Sequence, residues 1–147
     1  MVTGGKLAQT ILVVDDSMVM QQFLTETLAV NYQVFATDNA MDALSLIYQK
    51  SFSLLLLDVS MPGIDGLELC RTIRNLPQFH HLPIIMVTAR STTFDYVQGQ
   101  LAGANRYLTK PFDTSRLIHT VESVLTPSEV VAESALFNIA PTETSVS

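Results

Sequence analysis

The chain has 147 residues, 48% of them hydrophobic, a length and apolar content that suit one domain around a packed core. Acids outnumber bases 14 to 8, a formal net charge of -6, and no basic run occurs, which argues against binding nucleic acid through its phosphates. The lone cysteine, Cys70, excludes an intramolecular disulfide or a cysteine-rich metal framework; no signal-peptide pattern opens the chain and no apolar run reaches the ~20 residues of a membrane helix, so a cytoplasmic protein without membrane insertion is expected.

Residues 1–9 lack periodicity, contain Gly4-Gly5 and read as a flexible lead-in. Ile11-Leu12-Val13-Val14 predicts a first strand that stops at Asp15-Asp16. Ser17 is placed to cap a first helix, in which Val19, Met20, Phe23, Leu24 and Leu28 recur at helical spacing to about Val30. A shorter second strand runs from Gln33 to Ala36, and Asp38-Asn39 precede a second helix with Ala40, Ala43, Leu44 and Ile47 on one face. Phe52 to Leu57 ends in four consecutive leucines, predicting a buried central strand that stops at Asp58 and enters the turn-rich Met61-Pro62-Gly63-Ile64-Asp65-Gly66.

A third helix from Gly66 to Leu76 carries Leu69, Cys70, Ile73 and Leu76 on its apolar stripe, which makes Cys70 a core residue, and Pro77 stops it. Ile84-Ile85-Met86-Val87 gives a fourth strand ending at Thr88. The helix from about Thr93 to Ala102 is less apolar than the others, is expected to be the most mobile, and stops at Gly103. Arg106 to Thr109 forms the fifth strand, with Lys110-Pro111-Phe112 at its tip. Asp113 or Thr114 then caps a fifth helix that turns Leu117, Ile118, Val121, Val124 and Leu125 inward.

Strands and helices alternating at this spacing predict an α/β fold over residues 10–125: a flavodoxin-like doubly wound parallel sheet of five strands in order 2-1-3-4-5, with helices on both faces. Residues 126–147 differ. Thr126-Pro127-Ser128-Glu129 has capping-box spacing with proline at the first helical position, which predicts a short helix over 127–137, whereas Pro141 to Ser147 reads as disordered. Val130, Val131, Ala135 and Leu136 recur on one face, which favours packing on the domain or a homodimer contact over a loose tail. No effector domain fits after Leu125, so a stand-alone protein acting by protein contact is expected.

The order 2-1-3-4-5 puts its switch point between strands one and three, where Asp15, Asp16 and Asp58 converge. Like charges so close need a counterion. An all-oxygen set of two or three carboxylates, joined by no His or Cys, suits Mg²⁺, which keeps several waters and is completed by phosphate oxygens. A carboxylate beside it is a competent nucleophile toward a phosphoryl group. Thr88 and Lys110 reach the same place from strands four and five, with a hydroxyl and an ammonium suited to phosphoryl oxygens. The plainer roles are a turn or helix cap for Asp58, a helix cap for Thr88 and a surface position for Lys110. His80, His81 and His119 read as surface residues outside the cluster.

Together, Asp15-Asp16, the run Leu57-Asp58-Val59-Ser60-Met61-Pro62-Gly63-Ile64-Asp65-Gly66, Val87-Thr88-Ala89 and Tyr107-Leu108-Thr109-Lys110-Pro111-Phe112 resemble the receiver domain of two-component response regulators, over roughly Thr10 to Leu125. The resemblance implies that Asp58 accepts a phosphoryl group from a sensor histidine kinase or a histidine phosphotransfer protein. It implies that Asp16 and Asp58 bind Mg²⁺ with the Ser60 carbonyl, Asp15 acting mainly from the outer shell, and that Thr88 and Lys110 hold the phosphoryl oxygens. Tyr107 matches the switch aromatic. Signalling to a downstream protein would then run through the face of helix four, strand five and helix five, with no enzymatic activity beyond self-phosphorylation and autodephosphorylation. A cis Lys110-Pro111 peptide is also implied, although the sequence alone does not assign the isomer.

Two departures from the commonest pattern stand out. Ser60 and Arg90 line the mouth of the site, where they would set water access to the phosphoryl group, and Asn105-Arg106 replaces an acidic pair before the switch aromatic. Three rivals are weighed. A haloacid-dehalogenase-like aspartate-nucleophile phosphatase needs a second acid where Ser60 stands, a phosphate-independent receiver-like module would not need the complete acidic, hydroxyl and lysine set, and a nucleotide-binding flavodoxin-like protein needs a glycine-rich loop where Asp15-Asp16-Ser17 stands.

Overall fold

The computed structural model describes residues 9–126; the lead-in before Gln9 and the helix expected over 127–137 lie outside the described residues. Strands β1 (Thr10–Val14), β2 (Gln33–Thr37), β3 (Leu54–Leu57), β4 (Ile84–Thr88) and β5 (Arg106–Thr109) alternate with helices α1 (Met18–Leu28), α2 (Ala40–Gln49), α3 (Gly66–Arg74), α4 (Thr93–Ala102) and α5 (Thr114–Leu125). All pairings are parallel and the order is β2-β1-β3-β4-β5, the doubly wound sheet expected.

Strand alternation divides the interior in two. Leu12, Leu55, Leu57 and Met86 point to one face, where α2, α3 and α4 cover them with Ala43, Ile47, Leu69, Ile73 and Ala102. Ile11, Leu54, Leu56, Ile85 and Leu108 point to the other, covered by α1 and α5 through Leu24, Leu28, Leu117 and Val121. The four leucines of β3 are each at most 1% exposed, because a central strand covered on both faces has no solvent side. Burying each contributes ~2 kcal/mol.

Each helix starts on a side-chain cap that accepts the backbone N–H three residues on: Ser17 from Met20, Asn39 from Asp42, Asp65 from Glu68, Thr92 from Asp95 and Asp113 from Arg116. Such caps are worth ~1 kcal/mol apiece. The element limits differ in small ways from the pattern in the sequence. Helix α1 ends at Leu28, and its Met18 and Val19 are 68% and 79% exposed, so the inward stripe begins a turn later than apolar spacing implies. Helix α3 ends at Arg74 and Pro77–Phe79 forms a separate 3-10 turn. The inward face of α4 is made of Tyr96, Gly99 and Ala102, while Phe94, Val97 and Leu101 face out, which explains its weak apolar signal.

The C-terminal end of α4 is held by Arg74. Gly103 adopts φ 108°, the left-handed C-cap conformation, and its carbonyl accepts from Arg74 Nε at 2.9 Å. Arg74 Nη1 donates to the Leu82 carbonyl at 2.7 Å and Nη2 to Asn105 Oδ1 at 3.0 Å, while Asn105 Oδ1 also accepts from Ile84 N at 2.8 Å. One guanidinium therefore ties α3 to α4 and to the segments entering β4 and β5. Replacing it with an apolar stem strips three acceptors of a charged donor, so Arg74→Met is expected to lower unfolding free energy by ~2 kcal/mol in urea titrations, with an unchanged m-value.

Candidate functional site

Register places the acids. Val14 faces Leu57 across β1 and β3, so Asp15 and Asp58 leave the sheet side by side, and Asp58 N–H donates to the Val14 carbonyl at 2.9 Å. Thr88 ends β4 opposite Thr109 on β5, and Lys110 N–H donates to the Thr88 carbonyl at 2.8 Å. Four strand ends thus deliver Asp15, Asp58, Thr88 and Lys110 to one edge of the sheet. Asp16 projects beside them into solvent, and carboxylate oxygens of Asp15, Asp16 and Asp58 lie within 4.8 Å of one another.

Asp15 is 1% and Asp58 6% exposed, so both carboxylates need partners. Asp15 accepts from Ser17 N–H at 2.9 Å and from Lys110 Nζ at 2.9 Å; Asp58 accepts from Ser60 N–H at 3.1 Å and from the same ammonium at 3.2 Å. Lys110 is thus the counterion between two acids. Burial raises the pKa of Asp15 against the lowering effect of the Ser17 N–H and of Lys110. For Lys110, burial opposes the charge but the Asp15 hydrogen bond and the two carboxylates outweigh it, so its pKa is raised and the ammonium stays charged. The Lys110-Pro111 peptide is cis.

Thr88 is fully buried, and its Oγ1 accepts from Arg90 N–H at 3.3 Å. It does not cap α4, a task taken by Thr92 in a capping box with Asp95. Arg90 Nε donates to Ser60 Oγ at 2.9 Å across the mouth of the site. The Arg90 carbonyl accepts from Tyr107 OH at 2.9 Å, and Tyr107 is inside the fold, 3% exposed, edge-on to Tyr96 with ring centroids 4.6 Å apart. Burial pushes the Tyr107 hydroxyl pKa well up. Tyr96 OH in turn shares a 2.9 Å hydrogen bond with Thr109 Oγ1.

Two residues have a part in the site that their sequence positions do not reveal. A Cβ on Gly66 would collide with the Asp58 carbonyl oxygen and lie 2.8 Å from its carbon, so α3 starts directly against the backbone that carries the central acid. Tyr96 reads as an ordinary helix residue, yet it is the wall against which Tyr107 rests. The three histidines are exposed and none joins the acids, as expected.

The sequence matches the response regulator receiver domain family over residues 11–122. The chain belongs to this family. Among solved structures, the chemotaxis protein CheY4 of Vibrio cholerae is 30% identical, with a TM-score of 0.76, covering 80% of this chain and 98% of its own. The receiver domain of a signal transduction histidine kinase from Syntrophus aciditrophicus is 30% identical, with a TM-score of 0.75, covering 82% of this chain and 92% of its own. The BeF3-activated DrrB receiver domain is 30% identical, with a TM-score of 0.73, covering 80% of this chain and 97% of its own.

As a receiver domain of two-component systems, the protein is a signalling unit whose family implies partnership with histidine kinases or phosphotransfer proteins. Its acidic edge suits phosphorylation and a hard divalent cation: the Asp15, Asp16 and Asp58 oxygens form an all-oxygen donor set, and among the described residues no His or Cys joins it to favour a softer metal. Among those residues no helix is long and apolar enough to cross a membrane.

Proposed function

We propose that the chain is a stand-alone cytoplasmic response regulator that accepts a phosphoryl group on Asp58 and passes the signal on by protein contact. The observation that carries this reading is the Lys110 ammonium bridging Asp15 and Asp58 at adjoining strand ends. The net charge of -6 favours a protein, rather than a nucleic acid, as the downstream target.

In the proposed reaction, a carboxylate oxygen of Asp58 attacks the phosphorus of a phosphohistidine on a sensor kinase or phosphotransfer protein. The phosphorus–nitrogen bond breaks, its electron pair leaves with the imidazole, and Asp58 becomes an acyl phosphate. Asp16, Asp58 and the Ser60 carbonyl would hold Mg²⁺, with Asp15 in the outer shell. When bound, the ion would supply positive charge to offset that of the carboxylates and the incoming phosphoryl group. Lys110 pairs with one phosphoryl oxygen and Thr88 donates its hydroxyl to another. Ser60 and Arg90, joined across the mouth, limit the approach of water and so set the lifetime of the acyl phosphate.

The signal leaves through Arg90. Its N–H is bonded to Thr88 and its carbonyl to Tyr107, so drawing Thr88 toward the phosphoryl group pulls on a loop that holds the switch aromatic. Since Tyr107 is already inside, phosphorylation tightens an arrangement the fold can adopt without it, a population shift rather than a new conformation. The readout face is α4, β5 and α5, whose Phe94, Val97 and Leu101 are exposed. Intact mass after incubation with a small phosphodonor tests the reading. A gain of one phosphoryl group with Mg²⁺ and none with EDTA is expected. No gain in either condition would instead make the chain a phosphate-independent interaction module.

A further inference from the structure

We propose that the Tyr96 hydroxyl, through its hydrogen bond to Thr109, is a latch that keeps Tyr107 inward in the unphosphorylated chain, which makes Tyr96 a positioning residue of the switch. The inference rests on the signalling role proposed above for Tyr107. The Tyr107 ring has two places to be. It lies inside, 3% exposed, with its OH donating to the Arg90 carbonyl at 2.9 Å. Beside it is an open cleft of about 530 Å³, lined by Tyr96, Tyr107, Thr109, Pro111 and Arg116, with ample room for one phenol ring. Rotation about side-chain bonds, with no change in β5, carries the ring from one place to the other.

Three observations give the choice between them to Tyr96. The first is contact. Tyr107 and Thr109 stand two apart on β5 and so project to the same side of the sheet, toward α4. Tyr96 meets both: its ring is edge-on to Tyr107 with centroids 4.6 Å apart, and its OH shares a 2.9 Å hydrogen bond with Thr109 Oγ1. That bond fixes the ring on which Tyr107 packs. The second is the way α4 is held. Gly99, Ala102 and the Arg74 contact to the Gly103 carbonyl secure its second half, whereas Tyr96 is the one buried residue of its first half, Thr93 to Val97. Without the Thr109 bond the first half can lift, and the wall behind Tyr107 goes with it. The third is the link to the site. Thr109 pairs with Thr88 across β4 and β5 and precedes Lys110, so the latch closes on the strand ends that carry the hydroxyl and the ammonium. A bond that favours the inward ring before any phosphoryl group arrives leaves less for phosphorylation to change.

The test uses the full chain in four forms: wild type, Tyr96→Phe, Thr109→Val and Thr109→Ser. Tyr96→Phe keeps the ring and loses its hydroxyl, Thr109→Val keeps the shape and loses the other hydroxyl, and Thr109→Ser keeps the bond. Three-bond NMR couplings of the Tyr107 side chain give its inward-to-outward ratio, first on the unphosphorylated proteins and then with Mg²⁺ and beryllium fluoride, a phosphoryl analogue. Without the analogue, wild type and Thr109→Ser are expected to hold the ring inward. In Tyr96→Phe and Thr109→Val the ratio falls about fivefold, the usual effect of losing one hydrogen bond. With the analogue the ring returns inward in both, so loss of the latch enlarges the response, which a packing defect alone would not do. Wild-type ratios in Tyr96→Phe and Thr109→Val, or Thr109→Ser behaving like Thr109→Val, would overturn the proposal. Failure of Asp58 as the acceptor is a different result, silence toward the analogue in every form, and the ratios read without it still decide the latch.

Discussion

Asp58→Asn is expected to take up no phosphoryl group from a small donor, with or without Mg²⁺, under conditions in which the wild-type chain is fully modified. The substitution changes little else. An asparagine retains an oxygen for the Ser60 N–H, and Lys110 retains Asp15 at 2.9 Å as its ion partner, so the fold loses one charged contact at 3.2 Å while also shedding one of three crowded carboxylates. These effects oppose each other, and the expected change in unfolding free energy is within ~1 kcal/mol. The chemical effect is of a different order, because a carboxamide is not a competent nucleophile toward phosphorus and an acyl phosphate has no counterpart on it. Intact mass measures uptake and urea unfolding measures the fold. A variant that unfolds like wild type but still gains the group would move the acceptor to another acid of the cluster.

The largest structural effect is expected at Gly66. Its N–H donates to the Val59 carbonyl at 3.0 Å, and an added Cβ would collide with the Asp58 carbonyl oxygen and lie 2.9 Å from Val59 Cα. Every atom in the way is backbone, so no rotamer change relieves the clash; either the start of α3 lifts or the end of β3 gives way. Gly66→Val should therefore cost ~3 kcal/mol or more in urea, beyond what helix propensity explains. Where the variant remains folded, phosphoryl uptake should slow as well, since the displaced peptide carries Asp58, the proposed acceptor. Wild-type stability in Gly66→Val would show that the α3 start is not seated against Asp58.

The parts of this fold visible in the sequence are those written by period and punctuation. Leu54 to Leu57 and Ile84 to Val87, with Ala43 and Ile47 of α2, Leu69, Cys70 and Ile73 of α3 and Leu117 and Val121 of α5, sit where their spacing put them, because a parallel sheet covered on both faces leaves few alternatives, whereas Leu76 falls beyond the end of α3 and Ile118 is only half-buried. The acids were legible for the same reason: a carboxylate closing such a run is conspicuous. What could not be read was mutual position across strands. The motif makes Lys110 a partner for a phosphoryl oxygen, whereas in the fold its ammonium spans Asp15 and Asp58. Nothing in the neighbours of Arg74 announces that it bonds the carbonyls of Leu82 and Gly103 and the amide oxygen of Asn105. Val19 went the other way, apolar yet 79% exposed, because it lies on the side of α1 opposite the buried Leu24 and Leu28.

Cys70 has a practical consequence. It is the sole thiol of the chain, fully buried in α3, and its Sγ lies 3.3 Å from the Ala102 carbonyl. Burial pushes its pKa up to about 11. At neutral pH about one such group in ten thousand is thiolate, and that one is walled off from any reagent. The natural sequence is therefore a ready background for selective labelling. A cysteine introduced at an outward position such as Leu101, 75% exposed, would be the only one a maleimide dye reaches. A fluorophore there would follow α4 in real time as donor or cation is added, with no residue removed beforehand.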